Sequence, residues 1–206
     1  MDGLAEVSLR SPVPLDRELT VERASDASVR ALDDETLVAE ARAVSGLDVD
    51  VPEPVGLAEA REAAERYRGL EDGPFSHCFV CGRARDDAFG VFAGEVAGRE
   101  VVASPWTPGE WTASAEGEVA PEFIWAVLDC PTYFALYRDS NTLSFLARLA
   151  VRVDAPVRAG EEHVVIAWPI HKDGRKHHAG AALMAADGQA LAVAQALLIE
   201  ARPEPG

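Results

Sequence analysis

The segment over residues 119–138, VAPEFIWAVLDCPTYFALYR, is the most apolar long stretch of the chain. Pro121 suits the first turn of a helix, where the missing N–H needs no acceptor. Apolar residues follow at helical spacing almost all round, which predicts a helix buried inside the protein rather than lying on its surface. Asp129 is the one carboxylate in the middle of this helix. Pro131 removes a backbone donor two residues later and predicts a kink or a break.

The charge balance excludes partners that need a basic surface. Acidic residues outnumber basic ones by 35 to 19, for a net charge of −16. Nucleic acids and anionic membranes both require clustered Lys and Arg, so we expect neither as the main partner. No run reaches the roughly 18 apolar residues of a membrane span, and the N-terminal sequence MDGLAEVSLR lacks a signal pattern. We therefore expect a cytoplasmic protein.

Turn signals divide the rest of the chain into short strands and one further helix. Four strands are predicted within residues 1–45, and four more after the central helix. Between them, residues 46–56 predict a Pro-rich extended linker, and residues 57–68 contain strong helix formers. Residues 91–118 predict a β-hairpin and a loop that leads into the central helix. The expected order is therefore a meander, a linker, a hairpin, a helix and a second meander.

A weak internal repeat relates the two meanders. Residues 7–13 parallel residues 151–157, and residues 37–41 parallel residues 192–196. The first copy has no helix of its own. Four strands without a covering helix expose an apolar face, which we expect the second domain or another chain to bury.

Three local motifs resemble those of a known fold family. HCFVCG at residues 77–82 and FGV at residues 89–91 resemble a signature of hotdog thioesterase-like proteins, and WAVLDCP at residues 125–131 resembles their central helix. The resemblance implies an α+β hotdog fold, in which an antiparallel sheet wraps around one helix. It implies three parts, which are a partial hotdog-like β-meander (1–45), a linker with a short helix (46–75) and a hotdog domain (76–206).

The same resemblance implies chemistry on a thioester. Hotdog thioesterases act on acyl-CoA or related thioesters at an interface between two hotdog units, and in the PaaI-like branch an Asp of the central helix activates water or attacks the thioester. Asp129 aligns with that acid. The HGG motif of that branch falls on Ala120, Pro121 and Glu122, where Pro121 offers no N–H to the thioester carbonyl. Each such donor typically contributes about 2.7–4 kcal/mol. The alternative role for Asp129 is structural, bonding backbone groups freed by Pro131.

Six further residues are predicted to contact the substrate. Trp125 and Tyr133 would lie one turn to either side of Asp129. Arg175 and Lys176 begin a strand and suit the phosphates of CoA. The simpler interpretation is that these two residues form the solvated end of a hairpin. His177 and His178 must point to opposite faces of that strand, so one of them at most faces a given pocket. Asn141 could orient a water or a carbonyl, or merely form a turn.

The cysteines do not predict a metal site. Cys78 and Cys81 form a CxxC motif beside His77, but a structural zinc requires four ligands. Cys130 is the only other cysteine, and the remaining histidines are distant in sequence. We expect no metal and no cofactor, with the two thiols packed under the hairpin.

The sequence favours a thioesterase-like protein whose partner is acyl-CoA or another acyl thioester. Two alternatives remain open, a non-catalytic acyl-ligand-binding or structural hotdog protein and a zinc-binding module. We also expect a homodimer or a higher homo-oligomer, because pairing protects exposed sheet edges.

Overall fold

One antiparallel sheet organises the computed structural model, which describes residues 4–69, 73, 75–138, 140 and 142–202. Its strands are β1 (Ala5–Leu9), β2 (Thr20–Arg23), β3 (Val29–Asp33), β4 (Thr36–Ala43), β5 (Gly94–Glu95), β6 (Val102–Trp106), β7 (Ser144–Val153), β8 (His163–Asp173), β9 (Lys176–Ala185) and β10 (Ala190–Glu200). The helices are α1 (Leu57–Glu65), α2 (Pro121–Leu136) and a 3-10 turn (Glu110–Thr112). The strand order across the sheet is β2-β3-β4-β1-β7-β10-β9-β8-β6-β5.

The predicted strands are confirmed in both meanders and in the hairpin. Turn chemistry explains the connections after β8 and β9. Gly174 and Gly188 lie there with φ values of +56° and +89°, a backbone region that a Cβ disfavours. The short helix was predicted over residues 57–68, but α1 ends at Glu65.

Helix α2 runs through Pro131 without a break, so the second of the two predicted effects, a kink or a break, is wrong. An interior proline typically costs about 3 kcal/mol. Packing offsets this cost, because Val127 and Ala135 are buried against the sheet on either side of Pro131. Thr132 is also buried, and its Oγ1 donates to the carbonyl oxygen of Asp129 at 2.6 Å. The missing N–H of Pro131 would have bonded to the Val127 carbonyl, whereas the Thr132 hydroxyl bonds to the Asp129 carbonyl.

The two helices cover opposite faces of the sheet. Val127 and Leu128 of α2 belong to one core cluster with residues of β6–β10. Ala60 and Ala63 of α1 belong to a second cluster on the other face, with residues such as Ile166. Alternation along each strand divides the apolar residues between these two layers. The predicted burial of α2 is confirmed for its sheet-facing side, while several other residues of the helix are half-buried.

The internal repeat corresponds to a symmetry in strand order. Strands β1 and β7 pair at the centre of this symmetry. The order outward from β1 is β4, β3 and β2, and the order outward from β7 is β10, β9 and β8. Each half is antiparallel, and β1 also pairs antiparallel with β7. Strands on both sides of the predicted boundary at residue 45 therefore belong to one sheet.

The first meander continues the helix-facing side of the sheet. Val7 lies opposite Leu149, and Ala5 lies opposite Val151. Leu149 and Val151 belong to the core that α2 covers. Residues directly opposite each other share a face of a sheet, so Ala5 and Val7 extend that apolar face beyond the end of the helix layer.

This extension, which we call the open face, is apolar along its length. The strand register places on it Ala5, Val7, Leu9, Val21, Arg23, Val29, Ala31, Ala39, Ala41 and Ala43. Neither of the described helices packs on it, and Val21 is 69% exposed. The reverse side is polar, with Arg42 2.8 Å from Glu6 and Arg30 3.0 Å from Glu40. The amphipathic meander thus presents its apolar side uncovered.

The segment over residues 46–56 has neither helix nor strand, as predicted, yet it is packed. Val55 is buried in the second core cluster, and Leu47 and Val49 pack against it. Neither described helix has both the length and the apolarity needed to cross a membrane.

Candidate functional site

Asp129 projects from the buried central helix, where it is half-buried. Leu128 before it is buried completely and anchors this turn of α2 in the core. In the part of the chain that the structure describes, no hydrogen-bond donor contacts its carboxylate. Burial, and then the negative charge of Cys78, raise the pKa of Asp129 to about 7. A carboxyl group with this pKa exchanges protons near neutral pH, which is the range that general base catalysis requires.

The backbone before α2 lacks most of the free N–H groups that would bind a thioester carbonyl at an HGG motif. The Ala120 N–H donates to Thr112 O at 2.9 Å. Pro121 is the first helical residue and has no N–H. Two of the three positions that align with the HGG motif therefore have no free donor. This agrees with the departure seen in the sequence.

Trp125 and Tyr133 lie one helical turn before and after Asp129, as predicted, and both are half-buried. The Tyr133 hydroxyl donates to Thr142 O at 3.0 Å. Its ring lies 5.1 Å from that of Phe75. Tyr133 thus offers the edge of an aromatic ring to the surroundings of Asp129, while its hydroxyl is engaged elsewhere.

Three thiols lie next to Asp129, and the sequence did not reveal this. The sulfur atoms of Cys78, Cys81 and Cys130 lie within 4.8 Å of one another. Cys130 directly follows Asp129 on α2. The CxxC pair therefore contacts α2 through Cys130, and Cys78 also packs on the core cluster that includes hairpin residues such as Val91. No local pattern joins Cys130 to residues near 80, because only the folding of the loop onto the helix brings them together.

The predicted phosphate contacts lie at the far end of the β8–β9 hairpin. Arg175 and Lys176 are exposed, and Arg175 Nη1 donates to Glu200 O at 2.6 Å. His177 is buried, with Nε2 2.8 Å from Glu200 Oε1. Burial, reinforced by the charge of Lys172, lowers the pKa of His177, while Glu200 opposes this shift. Asn141 lies outside the described residues.

A groove of about 470 Å³ adjoins this hairpin. Its lining includes His177, Tyr137, Lys172, His171 and Glu200. Arg175, Lys176 and Asp129 do not line it. At 1.5 Å per helical residue, Tyr137 lies about 12 Å along the helix axis from Asp129. His177 therefore lies near the C-terminal end of α2, whereas Asp129 lies near the middle of the helix.

A second groove, of about 430 Å³, gathers positive charge that sequence reasoning missed. Arg66, Arg99 and Arg138 line it, and it shares Glu100 with the first groove. Backbone carbonyls hold all three guanidinium groups. Arg66 Nε donates to Glu95 O at 2.9 Å, and Arg138 Nη1 donates to Arg99 O at 3.2 Å. Arg99 donates to the carbonyls of Glu53 and Pro54.

This arrangement leaves most of the arginine charge available. A carbonyl orients a guanidinium without neutralising it. Within the described residues, the one carboxylate that contacts these three arginines is that of Glu100, which lies 3.4 Å from Arg138 and is 84% exposed. The three arginines are far apart in sequence, so only the tertiary structure shows that they form a cationic groove.

Solved structures match this fold, although no family model and no curated protein matches the chain. The tesB protein of Mycobacterium avium subsp. paratuberculosis is 14% identical, with a TM-score of 0.57 over 97% of this chain and 78% of that one. A thioesterase superfamily protein is 21% identical, with a TM-score of 0.54 over 60% of each chain. The E. coli PaaI protein, from the phenylacetic acid degradation operon, is 10% identical, with a TM-score of 0.53 over 71% of this chain and 96% of that one.

These similarities are in fold rather than in sequence. The match to the thioesterase superfamily protein spans less than two thirds of that protein. The match to the tesB protein extends over nearly all of this chain, including much of the first meander. The resemblance inferred from the motifs is thus confirmed at the level of architecture. This chain has the hotdog fold of thioesterase-like proteins.

Proposed function

We propose that the protein binds an acyl thioester and hydrolyses it with Asp129 as the acid–base group. The observation that carries this proposal is the half-buried Asp129 carboxylate, which stands on the central helix without a contacting donor and has a pKa near 7. Unpaired carboxyl groups that titrate near neutrality are characteristic of catalytic sites. The similarity in fold to thioesterase superfamily proteins supports the same reaction class.

In this reaction, ionised Asp129 takes a proton from water while the water oxygen attacks the thioester carbonyl carbon. The C–S bond of the tetrahedral intermediate then breaks, and protonated Asp129 returns its proton to the leaving sulfur, which departs as the thiol. Trp125 and Tyr133, one turn to either side, would contact the acyl group. We place the active site at an interface between hotdog units, because neither described groove includes Asp129 among its lining residues.

The carrier of the acyl group would place its phosphates on basic residues at the end of α2. Arg175 and Lys176 remain the proposed contacts, with His177 next to them in sequence, and Asn141 stays a prediction outside the described residues. Arg138 and Arg99 offer a second location, since the two grooves adjoin at Glu100. A carrier with a long flexible arm is required, because these groups lie beyond the last turn of the helix and Asp129 lies near its middle.

A second function is favoured by the backbone before α2. The Ala120 N–H is already bonded to Thr112 O, and Pro121 has none. A thioester carbonyl would therefore lack donors that typically contribute about 2.7–4 kcal/mol each to catalysis. The protein would then bind an acyl ligand without turning it over.

Thiol release from short, long and aromatic acyl-CoAs tests the proposal. We expect turnover by the native protein and its loss in Asp129→Asn, which keeps the size of the side chain but removes the base. Glu62→Gln is the matched control, since it removes an exposed carboxylate from α1 and should leave turnover unchanged.

Ligand binding separates the two functions. The same acyl-CoAs are titrated into the native protein by calorimetry. Binding with no turnover in the native protein would establish the non-catalytic function. Absence of both binding and turnover would reject the acyl thioester as the ligand.

A further inference from the structure

The three free cysteines form a compact sulfur cluster between the loop after α1 and helix α2. The sulfur atoms of Cys78, Cys81 and Cys130 all lie within 4.8 Å of one another. The Cys78 and Cys130 sulfurs are 3.5 Å apart. Cys81 is buried, and the other two are half-buried. Three converging thiols in a partly closed site have the composition of a site for a soft metal ion.

A tight turn joins the first two cysteines. The Gly82 N–H donates to Cys78 O at 2.8 Å and closes this turn. The turn therefore presents two of the three sulfur atoms from one loop.

The turn also requires a glycine after the second cysteine. A Cβ at Gly82 would lie 2.4 Å from Ser76 O and 2.5 Å from Cys78 O. Both of these atoms are backbone, so neither can move away cheaply. The space at Gly82 is thus filled by the loop that holds the two cysteines in place.

A metal ion would bind the three cysteines as thiolates, because the thiolate is the form of cysteine that ligates metals. Binding of a divalent ion between the sulfurs would therefore release the thiol protons to solvent.

The spacing of the sulfurs fits tetrahedral zinc. Thiolates at about 2.3 Å from a tetrahedral zinc ion lie about 3.8 Å from one another. The Cys78–Cys130 separation of 3.5 Å is close to this value. All three sulfur atoms lie within 4.8 Å of one another, so small side-chain movements would bring each pair to the separation that tetrahedral zinc needs.

We propose that Cys78, Cys81 and Cys130 bind one zinc ion, with the fourth position left to a water molecule or another small ligand. Among the described residues, no other Cys, His, Asp or Glu belongs to this group. His77 is exposed and is not part of it. The zinc would join the loop to α2 at Cys130, the residue after Asp129. This zinc proposal does not depend on the proposed thioester hydrolysis.

Metal analysis of the full-length protein tests this proposal directly. The chain is purified without an affinity tag that binds metal and under reducing conditions, and zinc is measured by mass spectrometry. We expect about one zinc ion per chain. After removal of zinc, added Co²⁺ should give thiolate-to-metal charge-transfer absorption and the strong visible bands of tetrahedral cobalt.

Single variants identify the ligands. Cys78→Ser, Cys81→Ser and Cys130→Ser should each lower cobalt affinity at least about tenfold. His77→Gln should bind cobalt as the native protein does. If a cysteine variant fails to fold by circular dichroism, the zinc content and cobalt spectrum of the native protein decide the matter.

Three outcomes would overturn the proposal. One is a reduced native protein without stoichiometric zinc that gives no cobalt–thiolate absorption. Another is cobalt absorption that persists in Cys130→Ser. The third is a Cys78–Cys130 disulfide, found by thiol counting in a protein that binds neither zinc nor cobalt.

Discussion

The sulfur atom of Cys78, on the loop after α1, lies 3.5 Å from the sulfur atom of Cys130 on α2. Burial, and then negative charge at Cys78, raise the pKa of Asp129, the residue next to Cys130. The cysteine cluster and the candidate catalytic acid thus form one electrostatic unit. Two of the thiols come from the loop, whereas the third thiol and the acid are neighbours on one helix.

Replacing Asp129 by Asn should maintain or increase stability. A structural carboxylate that bonded backbone near Pro131 would make this change destabilising. Thr132 Oγ1 already donates to the Asp129 carbonyl, and no described donor contacts the carboxylate, so its burial is an uncompensated cost. Urea unfolding at neutral pH measures the difference. A midpoint clearly below that of the native protein would assign Asp129 a structural role.

Replacing Gly82 by Ala should destabilise the protein by about 1–3 kcal/mol, because a new methyl group is forced against backbone. The added Cβ would meet Ser76 O at 2.4 Å. Gly46→Ala is the matched control, since nothing lies within 4 Å of its added Cβ. Thermal unfolding of the two variants checks this. Equal melting temperatures would show that the loop relaxes around the new side chain.

His177 should make the protein less stable in mild acid. Its folded-state pKa is below the ordinary value of 6.5, since burial and Lys172 outweigh the attraction of Glu200. The unfolded chain therefore binds this proton more readily. The stability that neutral His177 contributes is complete above pH 6.5 and is lost as the pH falls through its lowered folded-state pKa.

Urea unfolding at about pH 7.5 and about pH 5.5 measures this dependence. His177→Gln should lose less stability between the two values than the native protein does. His77→Gln, which changes an exposed histidine, should lose as much as the native protein. Identical losses in His177→Gln and in the native protein would contradict the assignment.

The open face should be an interface between copies of the chain. Val21 lies on this face and is 69% exposed, while its neighbour Glu22 points to the polar side of the same strand. Val21→Lys places a charge on the apolar side and should shift the protein toward the monomer, whereas Glu22→Lys should not. Light scattering during size-exclusion chromatography measures the molar mass of the native protein and of each variant. A native protein that is already a monomer would reject this interface.

Local pattern was enough to predict the secondary structure, while the fold was predicted from the resemblance of three motifs to those of hotdog thioesterase-like proteins. The strands were visible because apolar residues alternate along them, and the turns because glycine accepts positive φ at positions such as Gly174. The central helix was visible from its apolar periodicity, and Asp129 from its place within that helix. The helix was predicted to kink or break at Pro131, and it does not break there. Local rules do not include the packing that holds Val127 and Ala135 on the sheet.

Contacts between distant segments were decided only by the tertiary structure. The sequence determined that Cys78 and Cys81 would share a turn, since their spacing is local, but not that Cys130 would meet them. Likewise, nothing local brings Arg66, Arg99 and Arg138 to one groove. Side-chain spacing in a strand or a helix follows from backbone geometry over a few residues. The approach of a loop to a helix follows from how the whole core packs, and the sequence around either partner does not encode it.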